Sequence, residues 1–346
     1  KNSTAKARKF FLTRAGENFI TTMPTAPENT GNALALNGAA DLTAGTYEIA
    51  SKKTINFAGK TIEGATIFVN GGCTMQYDKN TQMTNTTIVL KSSATLEYNN
   101  SDGTGVMIPE GCTIYCTNPK NNVVAKGLIK IDGNLYADFR GKTSQDKDLS
   151  TGLGAIKETS SEEKEKSITP TQDITFGSNA KVFINGSIRA INLNVESGAN
   201  IYAAGNLFNN DANGNSTING NLWVKGFVKA RTLDVNGYLK SETAIKVTNQ
   251  FNVNNGANVE ASYINVTNNT KDGQKVIEKG EATLTLNGTG KITIGNKNVI
   301  TANNLVTDNA SAGQITLAGE NAVAVIKAHK FTNNGKSKIV AFATPG

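Results

Sequence analysis

The chain has 346 residues and a formal net charge of +7, with 18% charged residues and 34 glycines. The charged fraction is below the usual ~25%, and no apolar run approaches the ~18 residues of a membrane-spanning helix. The basic residues form no long run and no nucleic-acid motif, so we expect a solvated surface and no nucleic-acid partner.

Residues 1–45 are predicted to be an N-terminal capping and lead-in segment. Basic residues surround Phe10, Phe11, Phe19 and Ile20 in its first half. A terminal repeat must hide its open strand edge, and a short helix within residues 1–24 would do so.

From residue 46 onward the chain repeats a short motif with strict period-two alternation, which predicts β-strands. The motif places a small residue before the strand and alternates aliphatic with polar or aromatic positions, as in Gly198-Ala199-Asn200-Ile201-Tyr202-Ala203. The alternation predicts that the Ala or Cys and the aliphatic positions point inward. The Ala or Cys position recurs at Cys73, Ala94, Cys112, Ala180, Ala199 and Ala257.

A second motif contains Asn-Gly or Asp-Gly between two aliphatic residues, with its glycine at Gly133, Gly186, Gly220 and Gly237. Asn-Gly is typical of backbone that enters the left-handed region. The side chain after the next aliphatic residue is predicted to point outward. These residues form an aromatic and basic stripe that suits stacking on sugars, and they are the candidate ligand-binding residues: Tyr136, Arg189, Trp223 and Lys240.

Residues 141–172 interrupt the repeats with Ser, Thr, Lys, Glu and Asp. We expect a polar insertion that loops out between repeats, with room for a short helix near residues 158–166.

A period of 17 to 21 residues fits a coil of three short strands, and it is too short for propeller blades or most helical repeats. The fold class predicted is therefore all-β, a solenoid over residues 46–346 with the insertion at 141–172. About 290 residues at ~19 each give roughly 15 rungs.

These repeats resemble the right-handed single-stranded parallel β-helix group, which includes pectate-lyase-like proteins and bacterial surface adhesins. In style they look closest to secreted, Asn/Gly/Thr-rich surface proteins of gut-type bacteria. The resemblance covers residues 45–345 apart from 141–172, and it implies right-handedness and architecture rather than activity.

The residues that carry chemistry give no catalytic site, metal site or cofactor. His329 is the only histidine, which makes triads and multi-histidine metal sites hard to build. Cys73 and Cys112 occupy inward positions, and a Cys112–Cys116 bridge is disfavoured because residues four apart on a strand lie ~13 Å apart.

Two functions follow as expectations. The favoured one is a non-catalytic structural or adhesin-like module that is secreted or displayed on the outer cell surface. A lipid anchor on another segment is one means of attachment, and extracellular glycans or other surface proteins are the expected partners. The alternative is a polysaccharide lyase, a hydrolase or a carbohydrate-binding module. Its nearest acidic cluster, Asp132, Asp138, Asp146 and Asp148, would have to converge in a groove.

Overall fold

The computed structural model describes residues 19–139, 152–159, 167–209, 213–268, 282–308, 312–319, 325–334 and 338–343. In these ranges the chain is all β and holds no helix, and therefore none suited to crossing a membrane. The strands are β1 (Leu34–Ala35), β2 (Gly45–Ile49), β3 (Thr54–Asn56), β4 (Thr61–Glu63), β5 (Ala65–Val69), β6 (Thr74–Asp78), β7 (Gln82–Thr84), β8 (Thr87–Leu90), β9 (Thr95–Asn100), β10 (Thr113–Cys116), β11 (Asn122–Gly127), β12 (Ile129–Ile131), β13 (Asn134–Ala137), β14 (Gly152–Leu153), β15 (Ile156–Thr159), β16 (Ser167–Pro170), β17 (Ile174–Phe176), β18 (Lys181–Ile184), β19 (Ser187–Ala190), β20 (Leu193–Val195), β21 (Asn200–Ala203), β22 (Leu207–Asn209), β23 (Asn215–Ile218), β24 (Asn221–Val224), β25 (Val228–Val235), β26 (Tyr238–Ser241), β27 (Ala244–Val253), β28 (Asn258–Val266), β29 (Thr283–Leu286), β30 (Lys291–Thr307), β31 (Gln314–Gly319), β32 (Val325–Asn333) and β33 (Lys338–Ala343).

The strands bond side by side in parallel ladders, and a strand typically pairs with the strand three elements further along the chain. Ladder A runs without a break through β1, β2, β5, β8, β10, β13, β18, β21, β24, β26, β28, β30, β31 and β33. This order confirms an all-β chain built from many short, laterally bonded strands.

Two further ladders complete the pattern. Ladder B holds β3, β6, β9 and β11 in one group, and β14, β19, β22 and the following strands in another. Ladder C joins β4 to β7 and β12 to β17, β20 and β23. The long strands β25, β27, β28, β30 and β32 bend from one ladder to the next, and in β25 the register shifts between Ala230 and Thr232.

The interior is a continuous stack of apolar side chains. On ladder A, Leu222 of β24 lies between Ile201 of β21 and Leu239 of β26, and all three are fully buried. Strands repeat every ~4.8 Å, so each inward side chain rests on its counterpart in the next strand. The inward alternation predicted from the sequence is confirmed.

The two motifs use glycine for different reasons. Gly198 and Gly256, which precede Ala199 and Ala257, have φ of 97° and 79° and so lie in the left-handed region. The Asn-Gly glycines do not, and the left-handed prediction for them is wrong. A Cβ on Gly237 would lie 2.2 Å from the carbonyl oxygen of Gly220, so close backbone approach is what requires glycine there.

The Ala or Cys positions, predicted as one series, belong to two ladders. Cys73 and Ala94 precede β6 and β9 of ladder B. The later members precede strands of ladder A: Cys112, Ala180, Ala199 and Ala257. All of them are buried, because both corners demand a small inward residue.

The insertion is partly strand, where a loop was expected. Gly152 and Leu153 pair with β19, and Leu153 is buried in the core. Strands β15 and β16 form an antiparallel hairpin. The short helix considered near residues 158–166 is wrong for 158–159, which lie in β15, and residues 160–166 fall outside the described ranges.

At the N-terminus, Leu34 and Ala35 add a short strand beside β2, and Leu36 and Leu42 reach the core. The helix predicted within residues 1–24 falls mainly on residues 1–18, outside the described ranges. Residues 19–24 are not helical.

Leu222→Ala tests the stacked core. Removal of a fully buried leucine leaves a cavity, which typically costs ~2–5 kcal/mol. We expect a clear drop in the urea midpoint of unfolding, measured by circular dichroism. Lys225→Ala, an exposed position one corner away, is the control and should leave the midpoint unchanged. Equal midpoints for the two variants would contradict a close-packed interior.

Thiol reactivity tests the inward positions independently. Cys73, Cys112 and Cys116 are buried and unbridged, and burial raises the pKa of the Cys116 thiol to about 12. The thiolate is the reactive form, so native protein at neutral pH should leave all three thiols unlabelled by an aromatic disulfide reagent. Unfolding in urea should release three. Rapid labelling of the native protein would place a cysteine at the surface.

Candidate functional site

One outward position of ladder A forms a continuous column, which we call the outer column. Its members are paired strand to strand, and they alternate with inward core residues. From β2 to β31 they are Glu48, Phe68, Val89, Tyr115, Tyr136, Phe183, Tyr202, Trp223, Lys240, Glu260, Thr293 and Thr316. Five successive members, from Tyr115 to Trp223, are aromatic.

The aromatic rings contact one another along the column. Tyr115 and Tyr136 have centroids 5.2 Å apart, and Phe183 and Tyr202 are stacked at 5.8 Å. Tyr202 meets Trp223 edge to face at 5.3 Å. Such pairs are worth about 0.5–1.5 kcal/mol each beyond their buried area. The column is therefore a second apolar cluster outside the coil interior.

The N-terminal segment covers this column. Phe19 contacts Trp223 edge to face at 5.7 Å and Tyr238 at 6.0 Å. Ile20 and Met23 pack on the same cluster. At the other end, the Asn29 side-chain amide donates a hydrogen bond of 3.1 Å to the Glu48 carboxylate. We call residues 19–29 the strap.

The length of the strap matches the distance it spans. Seven strand pairings separate Glu48 from Trp223, or ~34 Å at ~4.8 Å each. Ten residue steps separate Asn29 from Phe19, and an extended chain covers ~33 Å in that number. Pro24 and Pro27 favour extended backbone at the residues before them. The strap therefore runs nearly straight along the column.

Charged groups surround the end of the strap. The Lys240 ammonium lies 4.1 Å from the centroid of the Trp223 ring, a close cation–π contact. The Trp223 indole N–H donates to the Glu242 carboxylate at 3.1 Å. Burial raises the pKa of Glu260, partly offset by the nearby Lys240 charge. The pKa of Tyr238 is raised by burial and by the Glu260 charge.

Three of the four predicted stripe residues lie together in the outer column: Tyr136, Trp223 and Lys240. Tyr136 is only 7% exposed, while Trp223 and Lys240 are half-buried. Their surroundings differ from the open stripe expected, because the strap and the Lys240 side chain already contact the Trp223 ring. Whether they bind a ligand stays a prediction.

Arg189 is separate from the other three. It lies on β19 of ladder B, opposite Phe208 of β22, so its predicted alignment with the stripe is wrong. Arg189 is 5% exposed, and its guanidinium donates to the Gly152 carbonyl oxygen at 2.9 Å. Burial lowers the pKa of Arg189 to about 10. Its side chain thus ties ladder B to the insertion.

Arg189 lines a cavity of about 450 Å³ at the break between β11 and β14. Gln172 crosses this break: its amide donates to the carbonyl oxygens of Ala125 and Gly127, and its oxygen accepts from the Ala155 N–H at 2.8 Å. The polar groups of the cavity wall therefore hold the insertion against the stack.

The acidic residues considered for catalysis are dispersed where they are described. Asp132 precedes β13 and lies 3.7 Å from Lys130, whereas Asp138 follows β13 and accepts a hydrogen bond from Asn185. Six residues of extended chain span ~20 Å. Asp146 and Asp148 lie outside the described residues, as does the His329 side chain. In the described ranges no three metal-ligating side chains converge.

The contact that sequence reasoning missed is the strap. Phe19 and Ile20 were expected to cap the first rung, but they pack eight strands up ladder A against Trp223. The available signal was the extended Pro24-x-x-Pro27 spacing, which is typical of chain that lies on aromatic grooves.

Comparison with family models, with curated proteins and with solved structures gives no match. The resemblance to pectate-lyase-like proteins and to surface proteins of gut-type bacteria therefore stays a prediction, and only the β-rich architecture stands.

Glu260→Gln tests the electrostatics at the end of the strap. Burial raises the pKa of Glu260 above its ordinary value of 4.5, so the carboxyl stays protonated to higher pH in the folded state than in the unfolded state. The contribution of Glu260 to folding stability therefore falls as the pH rises above about 4.5. The glutamine variant should gain stability relative to wild type between about pH 4 and 7, measured by urea unfolding.

The control is Glu28→Gln, an exposed strap glutamate whose loss changes the net charge equally. Its unfolding midpoint should follow wild type at every pH. If Glu260→Gln follows wild type as well, the carboxylate is not held in the environment described.

Proposed function

We propose that this chain is a non-catalytic structural module, folded as a right-handed single-stranded parallel β-helix of about 15 rungs and secreted or displayed on the outer cell surface. One observation carries the proposal: the unbroken register of ladder A. Thirteen successive pairings join its fourteen strands. A stack of that kind is long and stiff for its mass, as a spacer or adhesin-like stalk requires.

The side chains support a structural role. Inward positions are filled mainly by apolar residues, most of them aliphatic, along the whole described stack. Polar corner residues hydrogen-bond to their counterparts, as Asn236 does to Asn219 at 2.8 Å. These corner amides thus have structural partners, and the separation of Asp132 from Asp138 gives an acid–base pair little support.

Glycan binding on ladder A is the second function that we propose. It is favoured by the group at the end of the strap, where half-buried Trp223, Lys240 and Tyr238 lie together. Aromatic rings beside charged and hydroxyl groups are suited to sugar recognition. Other surface proteins are the alternative partners. A polysaccharide lyase or hydrolase remains the competing class.

A polysaccharide panel tests these functions together. Wild-type protein should release no reducing ends or unsaturated products from acidic or neutral polysaccharides. Asp132→Asn is the matched variant, because asparagine occupies the equivalent corner at Asn219 and Asn236. Cleavage by wild type that Asp132→Asn abolishes would replace the structural proposal with the enzymatic one.

The same panel on an array tests binding. Glycan binding by wild type should weaken at least tenfold in Lys240→Ala, a loss equivalent to ~1.4 kcal/mol, and persist in the control Lys225→Ala. Binding that is equal in both variants, or absent from wild type, would remove the glycan proposal for this group.

A further inference from the structure

The strap and the outer column form a ligand and its groove within one chain. The groove is a row of aromatic rings, 5–7% exposed at Phe183, Tyr136 and Tyr202. The ligand is an extended segment with the spacing Pro24-x-x-Pro27. Proline-containing extended chain loses little conformational entropy on binding. The strap side chains that contact the groove are Phe19, Ile20 and Met23, whereas Pro27 is exposed.

The strap is attached through side chains near its two ends. Phe19 contacts Trp223 and Tyr238, Ile20 and Met23 pack on the same cluster, and Asn29 bonds to Glu48. Between them, Thr21, Thr22 and Thr25 are exposed. The strap forms no strand and is paired to no strand, so its attachment depends on side-chain contacts that any identical segment could make.

The connection between the strap and the stack is exposed and permissive. Thr30, Gly31 and Asn32 are all exposed. Gly31 has φ of 90°, with no atom within 4 Å of where a Cβ would lie. A turn of this kind can change direction at little cost, and exchange of identical elements between protomers is a low-cost route to dimers.

We propose that the outer column is a binding groove for an extended, proline-containing segment, and that its occupant in trans is the strap of a second copy of this chain. In the single chain the strap fills its own groove. When that contact is broken, the groove accepts residues 19–29 of a neighbour, and two copies are joined side by side.

The single tryptophan makes the groove observable, because Trp223 contacts Phe19 directly. In Phe19→Asp/Met23→Asp, two charges would be buried against the column, so the strap should leave it. Trp223 emission should then shift to the red and be quenched more strongly by acrylamide. Thr21→Asp/Thr22→Asp carries the same charge on exposed strap positions and should keep wild-type emission.

Folding of the released variant is checked separately from strap release. Its far-UV circular dichroism and the protection of its three thiols should match wild type. If the emission of Phe19→Asp/Met23→Asp equals that of Thr21→Asp/Thr22→Asp, the strap does not hold the groove and the proposal fails.

Complementation then tests the second copy. Trp223→Ala protein has an intact strap and no tryptophan, so adding it to Phe19→Asp/Met23→Asp protein leaves Trp223 of the acceptor as the only tryptophan in the mixture. We expect the acceptor emission to return to the blue and light scattering to give the mass of two chains. A Trp223→Ala protein that also carries Phe19→Asp/Met23→Asp is the control donor and should have no effect.

A synthetic peptide of residues 17–30 is the second probe of the acceptor. Recovery of the blue emission with both the peptide and the donor protein supports the proposal. Recovery with the peptide alone would show a groove that copies do not exchange, which overturns the proposed occupant. Recovery with neither would overturn the groove itself.

Discussion

In-register parallel stacking is the constraint on which the rest of this structure depends. Within a ladder each strand lies ~4.8 Å above the one before. A side chain must therefore pack directly against the side chain at the equivalent position of the next strand, which is often of the same type. The corner after ladder C shows the consequence. Asn236 donates to Asn219, Asn254 to Asn236 and Asn287 to Asn254, at 2.8, 2.9 and 2.7 Å. Asparagine suits such a column because its amide both donates and accepts. Aliphatic residues suit the interior for the same reason, since like shapes pack on like shapes without any partner to satisfy.

The same rule acts on the outside of ladder A, where it creates an apolar surface that water would otherwise contact. The five successive aromatic members of the column, Tyr115 to Trp223, point away from the coil interior, which other apolar side chains fill. The strap solves this by covering the rings with Phe19, Ile20 and Met23. The Lys240 ammonium continues the cover over the Trp223 face, where it gains cation–π attraction and limits the exposed ring area. The outer column therefore depends on the strap to bury its rings, as a terminal repeat of other solenoids depends on its cap.

Much of the fold can be predicted from the sequence because stacked strands require a regular alternation and spacing of residue types along the chain. Alternation identified the inward Ile201 and the outward Tyr202, and the 17- to 21-residue spacing identified a repeated, three-strand path. The strap could not be found in this way. Phe19 and Trp223 are 204 residues apart, and their contact occurs once, so no periodic signal marks it. The Leu153 strand within the insertion escaped for a related reason: a two-residue strand that docks on the stack is too short to display a period.

The wrong prediction for Arg189 shows that a repeated motif can be assigned to the wrong corner of the coil. Gly186 was grouped with Gly133, Gly220 and Gly237 because all four follow Asn or Asp between aliphatic residues. In the structure Gly186 stacks instead with Gly205 and Gly226. The Gly205 N–H donates to the Gly186 carbonyl oxygen and the Gly226 N–H to that of Gly205, both at 2.8 Å. A Cβ on Gly205 would approach the Gly186 carbonyl carbon to 2.5 Å. Both glycine columns answer one physical demand, the close approach of stacked backbone at a corner. The Asn-Gly motif indicates a corner where backbones approach closely, but it does not identify which of the corners it is. The spacing of Gly186, Gly205 and Gly226, with steps of 19 and 21 residues, would have assigned Gly186 to its own column.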